Sequence, residues 1–156
     1  MTPLVSNLWP QFMVDPAFAA CFGQVIVEHA QMLRQERQVI FTLRSGAPLD
    51  KNLCARLLAS LQPDYEGFEL RIQNLFGYAM LDETALRDLM EEMKRDGVPI
   101  NGFLDRCKIN IIGQKITIGV CHGTKFLQEM HFEKLLAERI AAHTGVTPQV
   151  TLQSAV

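Results

Sequence analysis

The stretch from Arg106 to Cys121 constrains the fold of this chain more than any other. Residues 107–112 and 115–120 form two alternating apolar runs, and Gly113-Gln114 separates them. Alternation is the period of a strand with one buried face, and a short Gly-containing break between two such runs signals a β-hairpin. With Gly113 and Gln114 as the loop, Ile112 pairs with Lys115 and Cys107 falls opposite Val120. One face then carries Cys107, Ile109, Ile111, Ile116, Ile118 and Val120, while Lys108, Asn110 and Thr117 lie on the other. A one-residue slip would turn the aliphatic set to water, so the register is tightly specified. The hairpin carries no cluster of catalytic groups, which points to a scaffold or interaction domain.

The remaining pattern places this hairpin in an α+β chain. Residues 1–20 read as an irregular lead-in, interrupted by Pro3, Pro10 and Pro16 and pinned by Trp9, Phe12 and Phe18. A strand is expected from Val25 to about Ala30, a polar turn at 33–37 and a second strand from Gln38 to Arg44. Asp50 is a helix N-cap candidate, and Leu53, Leu57, Leu58 and Leu61 then share one helical face. Pro63 ends that helix, and Gly67–Leu75 reads as a third strand. Asp82 caps a second helix with Ala85, Leu86, Leu89, Met90 and Met93 on one face, stopped by Gly97 and Pro99. After the hairpin, a helix runs from Thr124 to about His143. Its apolar stripe switches near His131, which signals a kink, a break or burial on two sides. Gln149–Gln153 is the last strand. Residues 21–80 thus form a β-β-α-β unit and residues 81–156 an α-β-β-α-β unit, the latter with KH-like element order. Helices pack on an antiparallel-containing sheet. Neither half is large enough to hide both helix and sheet faces alone, so one shared core is expected.

Composition excludes several classes. The 156 residues are 48% hydrophobic and 21% charged, which fits a folded globular protein rather than a disordered one. The net charge is −2, from 15 Lys and Arg against 17 Asp and Glu, so bulk charge makes no case for nucleic-acid or membrane binding. The N-terminus lacks the basic flank of a secretory signal, and no run reaches the ~20 apolar residues of a membrane span. A cytoplasmic protein without membrane contact is expected. Cys21, Cys54, Cys107 and Cys121 show no CxxC or zinc spacing, and Cys107 and Cys121 point to opposite hairpin faces. Free, mostly buried thiols follow. His29, His122, His131 and His143 have no i, i+4 pair, so no metal site is expected.

Candidate functional residues are few. Cys121-His122 is a Cys–His neighbour pair, but adjacent strand residues point to opposite faces, which favours a structural role. Asp88, Glu91 and Glu92 read as a solvated helix surface. No catalytic residue and no cofactor are expected in this segment. Thr124 and Lys125, at a helix start, are candidate anion contacts. Val98, Ile100, Phe103 and Leu104 gather around the Gly97–Gly102 turn. They either close the core edge or form a partner-docking patch. The KH module clamps a nucleic-acid backbone through a GxxG loop, which this chain lacks.

From about Phe12 to Leu152 the chain resembles the N-terminal non-catalytic region of PolC-type DNA polymerase III, the replicative polymerase of low-GC Gram-positive bacteria. Gly23–Arg44, Pro48–Leu61 and Asp82–Leu152 carry the resemblance. Within them, Pro48-Leu49 leads into a helix, Gly113 centres the hairpin turn, and Gly145, Pro148 and Val150 lead into the final strand. The resemblance covers most of the chain by pattern rather than by a sharp motif. It implies an accessory domain of a DNA-directed DNA polymerase with proofreading exonuclease, whose catalytic carboxylates lie outside these residues. It also implies a fold similar to the polymerase-contacting domain of the clamp-loader tau subunit. The expected role is therefore docking of replisome proteins such as tau, with DNA as a further possible partner. The mild acidity of this chain departs from the family. The alternative is a standalone KH-like domain that binds single-stranded nucleic acid.

Overall fold

Asp50 and Asp82 start helices as their sequence positions require. In the structure, a computed structural model describing residues 3–100 and 102–154, Asp50 accepts from the backbone N–H groups of Asn52 and Leu53. Asp82 accepts from Ala85. Each thereby satisfies donors that a helix N-terminus leaves unpaired. The chain is α+β and divides into two units, Met1–Phe76 and Gly77–Val156, rather than after Met80.

The first unit contains α1 (Val5–Leu8), a 3-10 turn (Pro10–Val14), α2 (Pro16–Phe22), β1 (Ile26–Leu33), β2 (Gln38–Arg44), α3 (Lys51–Leu61) and β3 (Glu69–Leu75). The expectation of an irregular lead-in is corrected here. Pro10 and Pro16 each occupy the first turn of a helical segment, where the fixed φ of proline is favourable and its missing N–H costs nothing. Asp15 caps α2 through the Ala17 N–H. Strand β1 pairs antiparallel with β2, with Glu28 at a bulge, and β2 pairs parallel with β3. Phe18 and Phe22 of α2, Leu57 and Leu61 of α3, and Phe41 and Leu43 of β2 are buried in one cluster. Asn74 ties the crossover down: its side chain accepts from the Leu49 N–H and donates to the Ser45 hydroxyl and the Leu43 carbonyl.

The second unit contains α4 (Glu83–Arg95), β4 (Lys108–Ile112), β5 (Lys115–Val120), α5 (Thr124–Glu129), α6 (Phe132–Thr144) and β6 (Gln149–Ser154). The expected hairpin register holds, with Ile112 against Lys115 and Ile109 against Ile118. Ile116, Ile118, Val120 and Cys107 are buried, while Lys108, Asn110 and Lys115 are exposed. The stripe switch near His131 is a break. His131 has φ 60, in the left-handed region, and separates α5 from α6. Such a conformation cannot continue a right-handed helix. Strand β6 then pairs parallel with β5. Each unit therefore makes a three-stranded mixed sheet by the same route: a hairpin, a helical crossover, and a third strand parallel to the second.

Candidate interaction surface of the second unit

The helical period of α4 puts Leu86, Leu89, Met90 and Met93 inward, and all four are buried. Gly97, with φ 97, then turns the chain, and the segment after it returns over the helix. Ile100 and Leu104 are only 3% and 5% exposed, so they close the core edge as well as lining the cleft beside α4. Val98 and Phe103 are half-buried; Asn101, in the same turn, lies outside the described residues. Between α4 and this segment is a cleft of about 280 Å³. Met90, Ile100 and Leu104 line it together with the charged groups Arg87, Glu91, Lys94 and Asp105. Its volume lies at the lower edge of the ~300–1,000 Å³ of small-molecule sites and is enough for one anchoring side chain.

The wall of the cleft is fixed by Arg87. Its guanidinium donates to the Cys107 carbonyl at 2.8 Å and to Glu83 at 2.9 Å. Burial raises the Cys107 thiol above its ordinary value, against the opposing pull of Arg87. On the far side of α4, Arg139 of α6 donates to Asp96 at 2.7 Å and lies 3.6 Å from Glu92. The buried His143 ring sits 3.1 Å from the other Glu92 oxygen. Burial pushes the Glu92 carboxyl upward, but the hydrogen bond to His143 and the charges of His143 and Arg139 outweigh it. The net position is below the usual value.

At the end of the hairpin away from its turn, three rings meet. Phe103 contacts His122 edge-on and Phe126 at a tilt, each with centroids 5.5 Å apart. Gly123 makes this possible. It has φ 81, and a Cβ there would stand 2.6 Å from the Phe103 ring. The His122 ring is committed to this cluster, while the Cys121 Sγ lies 3.9 Å from the Arg106 carbonyl as donor. The Cys121-His122 pair thus makes no thiol–imidazole bond in the structure.

Thr124 and Lys125, the candidate anion contacts, open α5 with different surroundings. Helix α5 has six residues, the Thr124 hydroxyl oxygen is buried without a partner, and Lys125 is exposed. All four cysteines are free, but only Cys107 is fully buried; Cys21 and Cys54 are half-buried and Cys121 is exposed. Burial raises the Cys54 thiol to about 12, with the nearby Cys21 and Asp50 adding to the effect. Among the described residues, no group of three or more His, Cys, Asp or Glu could hold a metal ion. Likewise, no helix among them is long and apolar enough to cross a membrane.

Sequence reasoning missed the cleft because Met90 and Glu91 are distant in the chain from Leu104 and Asp105. It also missed the ring cluster, for which Gly123 followed by Thr124 and preceded by an aromatic ring was the available signal. Comparison with family models, curated proteins and solved structures finds no match to this chain.

Proposed function

We propose that this chain is the N-terminal, non-catalytic region of a PolC-type replicative DNA polymerase, acting as a protein-docking module of the replisome in the cytoplasm. The observation that carries the docking role is the cleft on α4, with its buried floor of Met90, Ile100 and Leu104 and its rim of both charge signs. Its size suits an anchor side chain of a protein partner, and the rim charges can select that partner's orientation. The resemblance supplies the parent chain and the candidate partner, the clamp-loader tau subunit.

Deleting residues 1–156 from the polymerase should leave nucleotide addition on primed DNA intact and weaken binding to tau. The charge swap Glu91→Lys with Lys94→Glu, both on exposed positions of α4, should weaken binding at least tenfold without unfolding the domain. Loss of polymerisation by a correctly folded truncation would overturn the non-catalytic assignment. Unchanged tau affinity in the swap variant would overturn the cleft as the docking site.

A further inference from the structure

The net charge of −2 conceals a strong local separation. Residues 106–128 contain Arg106, Lys108, Lys115 and Lys125 and no Asp or Glu. Residues 139–156, which include β6, also lack Asp and Glu. The sheet of the second unit is therefore free of carboxylates on all three strands. The acids of this unit are concentrated elsewhere, with Glu83, Asp88, Glu91 and Glu92 on α4.

The face of this sheet turned away from the buried isoleucines is open. Lys108, Asn110, Lys115, Gln149, Thr151 and Gln153 are all exposed on it. Neither lysine has an ion-pair partner among the described residues. Lys115 pairs with Ile112, four residues along β4 from Lys108, which separates the two charges by about 13 Å along the strand at ~3.3 Å per residue. At the sheet end nearer Lys108 lie the rings of Phe103, His122 and Phe126, with Arg106 and Lys125 close to them in the chain.

We propose that this face and its aromatic end bind single-stranded nucleic acid. The lysines and arginine would meet phosphates, the rings would stack on bases, and the Asn and Gln amides would hydrogen-bond base edges. Charge complementarity calls for a polyanion. Two further features select nucleic acid over an acidic peptide. Amide side chains both donate and accept, as base edges do, whereas a carboxylate only accepts. Exposed rings beside cations, here His122 and Phe126 backed by the half-buried Phe103, are the recurrent platform for unpaired bases. The site differs from the GxxG clamp of KH modules, and its Lys108 and Lys115 do not line the α4 cleft, so substitutions there test it independently of the docking reading.

Fluorescence anisotropy of a labelled oligothymidylate, titrated with the full 156-residue chain, tests the proposal. Binding should appear at low salt and weaken as salt rises. The slope of log K on log salt should be about −3 if four cations meet phosphates, at roughly −0.7 per single-strand contact. Lys108→Gln with Lys115→Gln should halve that slope and weaken binding at least tenfold, whereas Lys108→Arg with Lys115→Arg should retain it. Absence of binding at low salt overturns the proposal, as does a double glutamine variant that binds normally. Displacement of the oligonucleotide by polyglutamate at equal charge concentration also overturns it, in favour of an acidic protein partner. Glu91→Lys with Lys94→Glu should leave oligonucleotide affinity at least as high as before.

Discussion

In the first sheet, Arg44 pairs with Glu28, and Arg71 lies 3.8 Å from Glu69, all on the face away from the Phe41 and Leu43 core. Thr42 on that same face is buried, 3.3 Å from His29. In the second sheet the corresponding face has lysines with no ion-pair partner among the described residues, together with amides and the Thr151 hydroxyl open to solvent. The two sheets share strand order and pairing sense, because a hairpin followed by a helical crossover satisfies the same backbone demands in both. Their outer faces have no such common constraint. The difference teaches that the repeated topology supplies a scaffold, and that the charge and polarity of each outer face are set by residues the core does not need.

The sharpest contrast between the units lies at the junction from second strand to helix. Gly123 fills this position in the second unit with φ 81 and the Phe103 ring against it; Gly46 fills it in the first with nothing within 4 Å. Gly123→Ala combines left-handed strain of ~1–2 kcal/mol with overpacking of ~1–3 kcal/mol, so about 2–5 kcal/mol of stability should be lost. It should also displace Phe103 and weaken oligonucleotide binding. Gly46→Ala should change stability by no more than about 0.5 kcal/mol. Urea unfolding of both variants decides the matter, and equal losses would break the contrast.

Helix-to-helix ion pairing gives the second contrast. Arg56 of α3 bonds Asp15 before α2 at the surface, with side chains 55% and 39% exposed. Arg139 bonds Asp96 with side chains 24% and 21% exposed, beside Glu92 and buried His143. Removing Arg139 as Arg139→Met should cost about 2 kcal/mol, as for a charge-assisted bond lost from a partly buried site. Arg56→Met should cost much less, because exposed pairs are screened. Acid should act in the same order. Folding lowers the Glu92 carboxyl below its unfolded value, so its contribution is complete above the ordinary carboxylate range and is lost as pH falls below that range through the lowered folded value. Asp15 is lowered too, first by the Ala17 N–H and then by the hydrogen bond from Arg56, but at an exposed position where solvent screens the pair. Segment-resolved amide exchange followed from about pH 5 down to about pH 2 should show α4 and α6 losing protection, and Glu92→Gln should flatten that loss.

Local signals made much of this architecture legible. The hairpin register followed from Ile109, Ile111, Ile116 and Ile118, because strand period and burial agree there. The α3 and α4 starts followed from Asp50 and Asp82, whose side chains act within three residues. The break at His131 left its mark in the apolar stripe of the flanking helices. Parallel pairing of β3 and β6 did not show, because a crossover strand is placed by contacts more than 30 residues away, such as Gln38 with Glu69. The short helices before β1 were read as irregular because proline was weighed as a breaker and not as a first-turn residue. The outer face of the second sheet was visible in part: Lys108, Asn110 and Thr117 were placed on it from the pairing alone. Its extension by Gln149, Thr151 and Gln153 required the parallel register of β6.

The smallest expected effect sharpens the comparison of the two outer faces. If carboxylates are what silence the first sheet, removing them should uncover its cations. Glu28→Gln frees Arg44, whose side chain is 50% exposed, and Glu69→Gln weakens the hold on Arg71, which is 36% exposed. Surface pairs of this kind stabilise by only ~0–1 kcal/mol, so the double variant should remain folded. Two added cations can each release counterions from a single strand, which steepens the salt slope by roughly 0.7 apiece. The gain in oligonucleotide affinity should nevertheless be only a few-fold, because among the described residues the first face shows no ring cluster like that of Phe103, His122 and Phe126, and it keeps Thr42 buried. Measured in the Lys108→Gln, Lys115→Gln background, any such gain belongs to the first sheet. A recovery to full affinity there would show that bulk cation count, and not the arrangement on the second sheet, governs binding.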